Sequence, residues 1–333
     1  MKNQKDYICT KLGNAPITES NMDNRQLFFQ GKGFASRLIL FFGITLVSLS
    51  VFSLAGIFLL RPLFGISPFA IAAITSNPDE PGVKNILLFL QFTQAIGLFL
   101  IPTILFSWLE KGDLFEYLGF RLGSPMIIFS MTVMLVLAIQ PLINFTGELN
   151  SRMILPGFLK GIEDWMKESE ATAARLTESF LKFQSVPDLF FVFLIMAVIP
   201  AFGEEMLFRG VLQRLLGEWM KNKHVAIFIT AILFSALHMQ FYGFVPRFIL
   251  GVMLGYLYHW TGTLWMPVTA HFINNGSAVL LAYLMDKGIV DFEADKVGTS
   301  KNEWYWVCLS VMVCTAIAIF IYKRTKIEKS IKS

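Results

Sequence analysis

Repeated apolar segments of membrane-crossing length constrain the fold of this chain more than any other feature. The first runs from Leu38 to Leu60, and about 20 helical residues suffice to cross the hydrocarbon core of a bilayer. The composition agrees, because 55% of the 333 residues are apolar and only 16% are charged, whereas an ordinary globular protein carries ~25% charged residues. Backbone groups inside lipid must pair within their own segment, which favours helices. The sequence therefore predicts an all-α, polytopic membrane helix bundle with about eight transmembrane helices, surrounded by a lipid bilayer.

Polar segments between these runs divide the chain into five parts. The mixed-charge segment 1–37 is expected to be a cytoplasmic tail and not a cleaved signal peptide, because the first apolar run begins late and continues too long. The long connection 145–187 has charged and aliphatic residues at helical spacing, which predicts an amphipathic, helical, extracytoplasmic loop that caps the bundle or acts as a lid. The other parts are three N-terminal transmembrane helices over 38–144, a membrane core over 188–285, and a final transmembrane helix with a basic tail over 286–333.

The distribution of basic residues predicts the orientation. With eight crossings, 17 of the 28 Lys and Arg residues fall on the side that holds both termini, so the positive-inside rule places both termini in the cytoplasm. The formal net charge is only +4 and no basic surface interleaved with aromatic residues occurs, so no nucleic-acid partner is expected. The three cysteines show no CxxC spacing, so we expect neither a cysteine metal cluster nor a disulfide framework.

Three charged residues directly follow the apolar run of the fourth span, in the stretch P-A-F-G-E-E-M-L-F-R-G-V-L-Q. Glu205 and Arg209 are four residues apart and share a helix face, whereas Glu204 points elsewhere. One interpretation is that Arg209 neutralises Glu205 and leaves Glu204 free to act. The other is that all three mark a helix end in water. In the predicted orientation the stretch lies at the cytoplasmic side.

Two histidines lie inside apolar runs, each with a partner four residues away on the same helix face. Phe234 precedes His238, and Asn275 follows His271. A lone membrane histidine is commonly a satisfied interhelical hydrogen-bond partner. His238, His271 and Glu204 occur on separate spans, however, and three such groups can share one dry cavity.

A carboxylate and an imidazole that contact one water can deprotonate it, which is hydrolytic chemistry. The amide of Asn275 and a ring N–H of His271 are candidates to stabilise the oxyanion that forms when water attacks an amide. A second version places a zinc ion on Glu204, His238 and His271. The sequence lacks H-E-x-x-H, so no local zinc signature supports the metal, and both versions stay open.

Taken together, E-E-x-x-x-R at 204–209, F-x-x-x-H at 234–238 and H-x-x-x-N at 271–275 resemble the three motifs of the CPBP family of intramembrane proteases. This family includes the type II CAAX prenyl endopeptidase and Abi-like proteins of bacteriocin processing and self-immunity. The resemblance covers 188–285, which makes this the expected catalytic core, and implies a bacterial inner-membrane protease acting on a membrane-associated peptide or protein. Its implied site residues are, as catalytic groups, Glu204, His238, His271 and Asn275, and, as support, Glu205, Arg209 and Phe234.

The resemblance leaves the mechanism and two other functions open. The family is labelled as metalloproteases, but a metal-free mechanism based on glutamate and histidine has also been proposed for it. A transporter that uses the same residues as a proton or solute pathway, or a non-catalytic scaffold or bacteriocin-immunity protein, remains an alternative. One geometric difficulty accompanies the site: Glu204 lies about 24 Å along a span that starts at Asp188, whereas His238 lies about 20 Å into an oppositely running helix. A kink at Pro200, a tilted fifth helix or a broken fourth span would reconcile the two depths.

Overall fold

The structure, a computed structural model, describes residues 33–78, 80, 82–121, 124–300 and 302–332. All but residues 33–37 of the tail predicted over 1–37 therefore lie outside the described residues. Within the described ranges the chain forms helices and turns and no strand. The predicted all-α class is confirmed.

The described part of the chain contains nine helices of more than ten residues. The first four are α1 Phe34–Phe64, α2 Val83–Lys111, α3 Met126–Ser151 and α4 Lys160–Phe180. The remaining five are α5 Val186–Met220, α6 Lys223–Leu237, α7 Phe244–Thr261, α8 Trp265–Asp286 and α9 Trp304–Lys332.

Six helices in the described ranges are long and apolar enough to cross a membrane, namely α1, α2, α3, α5, α7 with the turn before it, and α9. A helix occurs at each of the eight predicted spans, but α6 and α8 do not belong to these six. The 15 residues of α6 extend only about 22 Å, less than the ~30 Å of a bilayer core. The protein is thus a multi-pass helical membrane protein in which not every apolar helix crosses the whole membrane.

Helix α5 runs from Val186 to Met220, so Glu204 lies near its middle. The alternative in which the acidic stretch marks a helix end in water is therefore wrong, whereas the cytoplasmic position of the stretch stays a prediction. The helix continues because Glu205 and Arg209, both fully buried, pair with each other and do not need water.

Two π-helical segments, Leu194–Val198 and Met206–Gln213, lie in α5 on either side of Glu204 and Glu205. A π-helical turn is wider than an α-helical turn and redirects the side chains that follow it; such turns are frequent at functional sites. Pro200 lies in the α-helical part between them. The local geometry around the acidic pair is therefore irregular on both sides.

Helices α6 and α7 form a hairpin whose tip packs against α3 and α4. The Asn222 side chain caps α6 by accepting from the backbone N–H of His224 and Val225. His238 directly follows the last residue of α6, and Met239 adopts a positive φ of 54° that reverses the chain. His238 is half-buried at this tip, beside the exposed Met239.

Helices α3 and α4 hold the hairpin tip in place. Helix α3 continues to Ser151, beyond the predicted limit at Asn144, and Asn150 binds the tip by donating to the carbonyl of Phe241 and accepting from the N–H of Val245. The long connection forms α4, whose Ser169 hydroxyl donates to the carbonyl of Met239 over 3.0 Å. The tip is therefore fixed from two sides.

Candidate active site

Glu204, His238 and His271 meet in the centre of the bundle. The Oε2 atom of Glu204 lies 4.0 Å from Nε2 of His238 and 4.0 Å from Nε2 of His271. A cavity of about 280 Å³ adjoins them, and its wall includes Phe234, His238, Arg247, His271, Asn274 and Asn275. Residues from α5, the hairpin tip and α8 thus share one interior site.

The depths of Glu204 and His238 along their helices, which conflict when they are estimated from the sequence, agree in the structure. Glu204 lies 16 residues before Met220, at the end of α5, and His238 lies 15 residues after Lys223, at the start of α6. At ~1.5 Å per residue both are about 22–24 Å from the turn that joins the two helices. The mismatch arose because the depth of Glu204 was measured from Asp188, the opposite end of α5. No kink is needed to explain the meeting.

Glu205 occupies the buried side of the acidic pair. Its Oε1 atom accepts hydrogen bonds from Nη1 of Arg209 and from Nδ1 of His271, both at 2.8 Å. Arg209 also donates to the carbonyl of Gly251 over 3.0 Å. An added Cβ at Gly251 would lie 3.1 Å from Cα of Ala231, so the missing side chain lets α7 approach α6 closely. Glu205 and Arg209 thus tie α5 to α7 and α8.

Phe234 packs at the centre of this arrangement. The guanidinium carbon of Arg209 lies 4.7 Å from its ring centroid, a cation–π distance. Its ring is also edge-on to the rings of His238 and His271, with centroids 5.2 and 6.0 Å away. Phe234 therefore separates the buried cation from the two imidazoles and limits their movement.

The hydrogen bonds of the two imidazoles define their neutral tautomers. Nδ1 of His238 lies 2.9 Å from the carbonyl oxygen of Phe234, and a carbonyl only accepts, so this nitrogen carries a proton. Nδ1 of His271 likewise donates to Glu205. In the neutral rings both Nε2 atoms are consequently acceptors, and both face Oε2 of Glu204, which is buried and has no hydrogen-bond partner in the structure. Three acceptor atoms, Oε2 of Glu204 and the two Nε2 atoms, thus face one another, and no donor lies between them.

A chain of side-chain amides orients Asn275. Its Nδ2 atom donates to the carbonyl of Met196 over 3.1 Å, and its Oδ1 accepts from Nδ2 of Asn274 over 3.1 Å. Oδ1 of Asn274 in turn accepts from Nε2 of Gln140 over 3.2 Å. Since the Met196 carbonyl only accepts, this network fixes the rotation of the Asn275 amide and leaves it one further N–H.

Two polar residues at this site were missed in the sequence. Gln140, on α3, supports the amide chain, and Arg247, on α7, lines the cavity. The available signal was a polar side chain inside or beside an apolar run. Neither residue belongs to the three motifs. The contact of Gln140 with Asn274 joins residues 134 positions apart, whereas Arg247 binds Gln240, seven residues away.

The residues proposed for zinc do not form a zinc site as they are placed. A tetrahedral zinc ion holds its ligands roughly 3.3 Å apart, whereas the two N···O separations here are 4.0 Å. Within the described ranges no group of three or more His, Cys, Asp and Glu side chains has the arrangement of a metal site. We therefore derive no step that involves a metal ion.

Fold and site together define the class of this protein. It is a polytopic helical membrane protein with a buried carboxylate and two imidazoles around a cavity. Residues 186–277 match the family model described as Rce1-like, type II CAAX prenyl endopeptidase. The recognition from the three motifs is thereby confirmed over α5, α6, α7 and the first half of α8. The match supports a CAAX-protease-like membrane endopeptidase at the level of the family.

A similar protein of Bacillus subtilis (strain 168), named "Uncharacterized protein YpbD", is 37% identical over 94 residues. The similarity covers 27% of this chain and 43% of that protein, so the chain matches less than half of the relative's length. No solved structure matches the chain. The family match therefore concerns the core predicted from the motifs and does not extend to α1–α4 or α9.

Proposed function

We propose that the protein is an intramembrane endopeptidase that hydrolyses a peptide bond of a membrane-associated peptide or protein through a water activated by Glu204. The gap between three acceptors carries this proposal. Buried acceptors need a donor, and a water molecule supplies two. An oxygen and a nitrogen 4.0 Å apart can both lie about 2.8 Å from the same water oxygen. The gap thus fits the nucleophile of a hydrolysis.

In the proposed reaction the water donates one hydrogen bond to Oε2 of Glu204 and a second to Nε2 of His238. Glu204 takes the proton as the water oxygen attacks the carbonyl carbon of the substrate. The proton then passes to the leaving nitrogen while the C–N bond breaks. The products are one carboxylic acid and one amine, and Glu204 returns to its ionised state.

The oxyanion of the tetrahedral intermediate needs fixed donors. Asn275 provides its remaining N–H, and the amide chain from Gln140 orients it. His271 adds a second donor at Nε2 only in its imidazolium form, which the 2.8 Å contact with Glu205 stabilises. The water between Glu204 and His238 is held in either form of His271. In this reaction Glu205 and Arg209 do not touch the substrate and act by holding His271.

We also propose the orientation implied by the basic residues, with both termini in the cytoplasm of a bacterial inner-membrane protein. Arg209, one of the 17 basic residues counted toward it, is buried inside α5 and carries no topological weight, but the remaining residues keep the same bias. The hairpin tip and α4 then lie in the extracytoplasmic half. The substrate bond would be cleaved deep in the membrane and not at its cytoplasmic face.

The substitution Glu204→Gln tests the function, because it keeps the size of the side chain and removes the base. We expect turnover of membrane peptides in liposomes to fall by about 100-fold or more, with the thermal unfolding midpoint little changed. Glu218→Gln is the matched control, since Glu218 lies on the same helix at its solvated end. Equal turnover by Glu204→Gln and wild type would remove Glu204 from the mechanism.

The same assay addresses the metal. All reactions contain a chelator, and the proposed glutamate-based mechanism requires wild-type turnover under these conditions. Activity that is lost with chelator and restored by zinc would contradict this mechanism. It would favour the zinc version on Glu204, His238 and His271.

A further inference from the structure

A second cavity lies at the opposite end of α6 from the hairpin tip, where α5 turns into α6 and α7 turns into α8. Its volume is about 320 Å³, and the link between α2 and α3 completes its wall. Its lining includes five charged side chains, those of Glu116, Arg121, Arg214, Glu218 and Lys223. The proposed hydrolysis gives none of them a role.

The two carboxylates of this cavity already have cationic partners. Glu116 pairs with Lys111 at 2.9 Å. Glu218 pairs with Arg37 at 2.9 Å and with Arg214 at 3.1 Å. A bound cation would therefore find no unpaired carboxylate in this wall.

Arg121 and Lys223 are the cations that remain. Within the part of the chain that the structure describes, neither side chain forms an ion pair. Glu116 attracts Arg121, but only from beyond ion-pair distance, and it binds Lys111 directly. Lys223 occupies the first position of α6, where the partial positive charge of a helix N-terminus disfavours a cation. An anion in the cavity would stabilise both side chains and the helix end.

The backbone around these two cations is held in place. A Cβ at Gly217 would lie 3.2 Å from Nζ of Lys223, so the missing side chain at Gly217 lets the lysine lie across α5. The carbonyl of Arg121 accepts a 2.8 Å hydrogen bond from the hydroxyl of Thr263, in the turn between α7 and α8. The wall therefore exists before a ligand binds.

Aromatic side chains at this end of the bundle indicate the level of the lipid headgroups, where Trp and Tyr are enriched. Trp219, near the end of α5, is exposed and stacks on Phe34 with ring centroids 4.5 Å apart. Tyr256 packs against Trp260 near the end of α7. Phe115, in the link between α2 and α3, is also exposed. Charged residues and exposed apolar residues thus occur together, as expected at the boundary between water and lipid.

We propose that this cavity binds the phosphate group of an anionic membrane phospholipid. Basic pockets between membrane helices recognise lipid headgroups in this way. The guanidinium of Arg121 can form two parallel hydrogen bonds with phosphate oxygens, and Lys223 adds a point charge. The volume is at the lower end of the ~300–1,000 Å³ range of ligand pockets, which suits a headgroup whose acyl chains stay in the bilayer.

Native mass spectrometry of the full-length protein in detergent tests this proposal with three probes. Phosphatidylglycerol has an anionic headgroup, phosphatidylcholine has the same phosphate with a quaternary ammonium, and glycerol 3-phosphate has a phosphate without acyl chains. We expect phosphatidylglycerol to bind about 5-fold or more tightly than phosphatidylcholine, because the two unpaired cations repel the ammonium. Arg121→Met and Lys223→Met should each weaken phosphatidylglycerol binding about 5-fold, and the double variant about 30-fold.

Two further variants separate the cavity from the general charge of this membrane face. Lys323→Met removes an exposed lysine of α9 outside the cavity. Its neighbour Tyr322 packs against Trp260, so the lysine belongs to the same end of the bundle, and its loss should leave the affinity unchanged. Arg121→Lys keeps the charge and removes the planar fork, and it should retain part of the affinity. As a second measurement, phosphatidylglycerol should raise the thermal unfolding midpoint of wild type more than that of the double variant.

Several results would overturn the proposal. These are equal affinity for the two lipids, an affinity for phosphatidylglycerol that survives the double substitution, and a loss in Lys323→Met as large as that in Lys223→Met. Displacement of phosphatidylglycerol by an equal concentration of glycerol 3-phosphate would assign the cavity to a soluble phosphate and not to a lipid. None of these outcomes depends on whether the protein hydrolyses a peptide.

Discussion

Two charged clusters in this protein contain similar residues, but the carboxylates are all paired with cations in one cluster and only partly paired in the other. The helix-end cluster consists of Arg37, Glu110, Arg214 and Glu218. Arg37 donates to both carboxylate oxygens of Glu110, at 2.7 and 2.8 Å, and to Glu218 at 2.9 Å, while Arg214 donates to Glu218 at 3.1 Å. Every carboxylate there has a cationic partner. This cluster joins the ends of α1, α2 and α5 and leaves no charge available for another molecule.

The central cluster consists of Glu204, Glu205, Arg209, His238 and His271. Only Glu205 has a cationic partner, and Oε2 of the neighbouring Glu204 has none in the structure. An unpaired carboxylate in such a place costs free energy, whereas the helix-end cluster shows that the chain can pair its charges fully. The difference indicates that the central cluster is completed by something other than its own side chains, and the proposed water and substrate are suited to this.

The largest effect on stability is expected from Arg209→Met. This substitution leaves the fully buried Glu205 without its cation, and removing one partner of a buried pair typically costs about 3–5 kcal/mol. The free energy of unfolding in detergent, measured by denaturant titration, should fall by that amount. High salt should not change the loss, because a buried pair is poorly screened.

A double substitution provides the control for Arg209→Met. Glu205→Gln combined with Arg209→Met removes both charges and keeps an amide oxygen that can accept from His271. It should destabilise the protein less than Arg209→Met alone. A loss below roughly 1 kcal/mol for the single variant would mean that Glu205 finds another partner or a proton, and the described contrast between Glu204 and Glu205 would weaken.

The sequence predicted most helices because a long apolar segment in a bilayer has few alternatives to a helix. It left open whether the charged residues after the apolar run of the fourth span stand in water. The structure excludes that alternative because Glu205 and Arg209 satisfy each other in the interior of α5, which cannot be known before their partners are known. The attachment of the hairpin tip to α3 and α4 was not predicted, because its contacts with Asn150 and Ser169 join residues far apart in the chain.

The candidate site was predictable in its residue types but not in its connections. Four-residue spacings placed Glu205 with Arg209 and Phe234 with His238 on common helix faces. The bond from Gln140 to Asn274, by contrast, joins residues 134 positions apart, and no local pattern encodes it. Arg247 was not singled out in the sequence. Its position in the cavity depends on how the α6–α7 hairpin packs into the bundle.

The smallest effect is expected from Arg37→Gln in the helix-end cluster. Glu110 is only 9% exposed, but Arg37 is 19% and its second partner Glu218 is 40% exposed, so water and ions reach the cluster through Arg37 and Glu218. Exposed pairs contribute about 0.2–1 kcal/mol, and the bidentate geometry favours the upper end of this range. The free energy of unfolding should therefore fall by about 1 kcal/mol, the loss should shrink in high salt, and turnover should stay within about twofold of wild type. The loss could instead equal that of Arg209→Met, or salt could fail to reduce it. Either result would show that the ion pairs of the helix-end cluster are as strong and as poorly screened as the buried pair of the central cluster. The two clusters would then not differ in the way described.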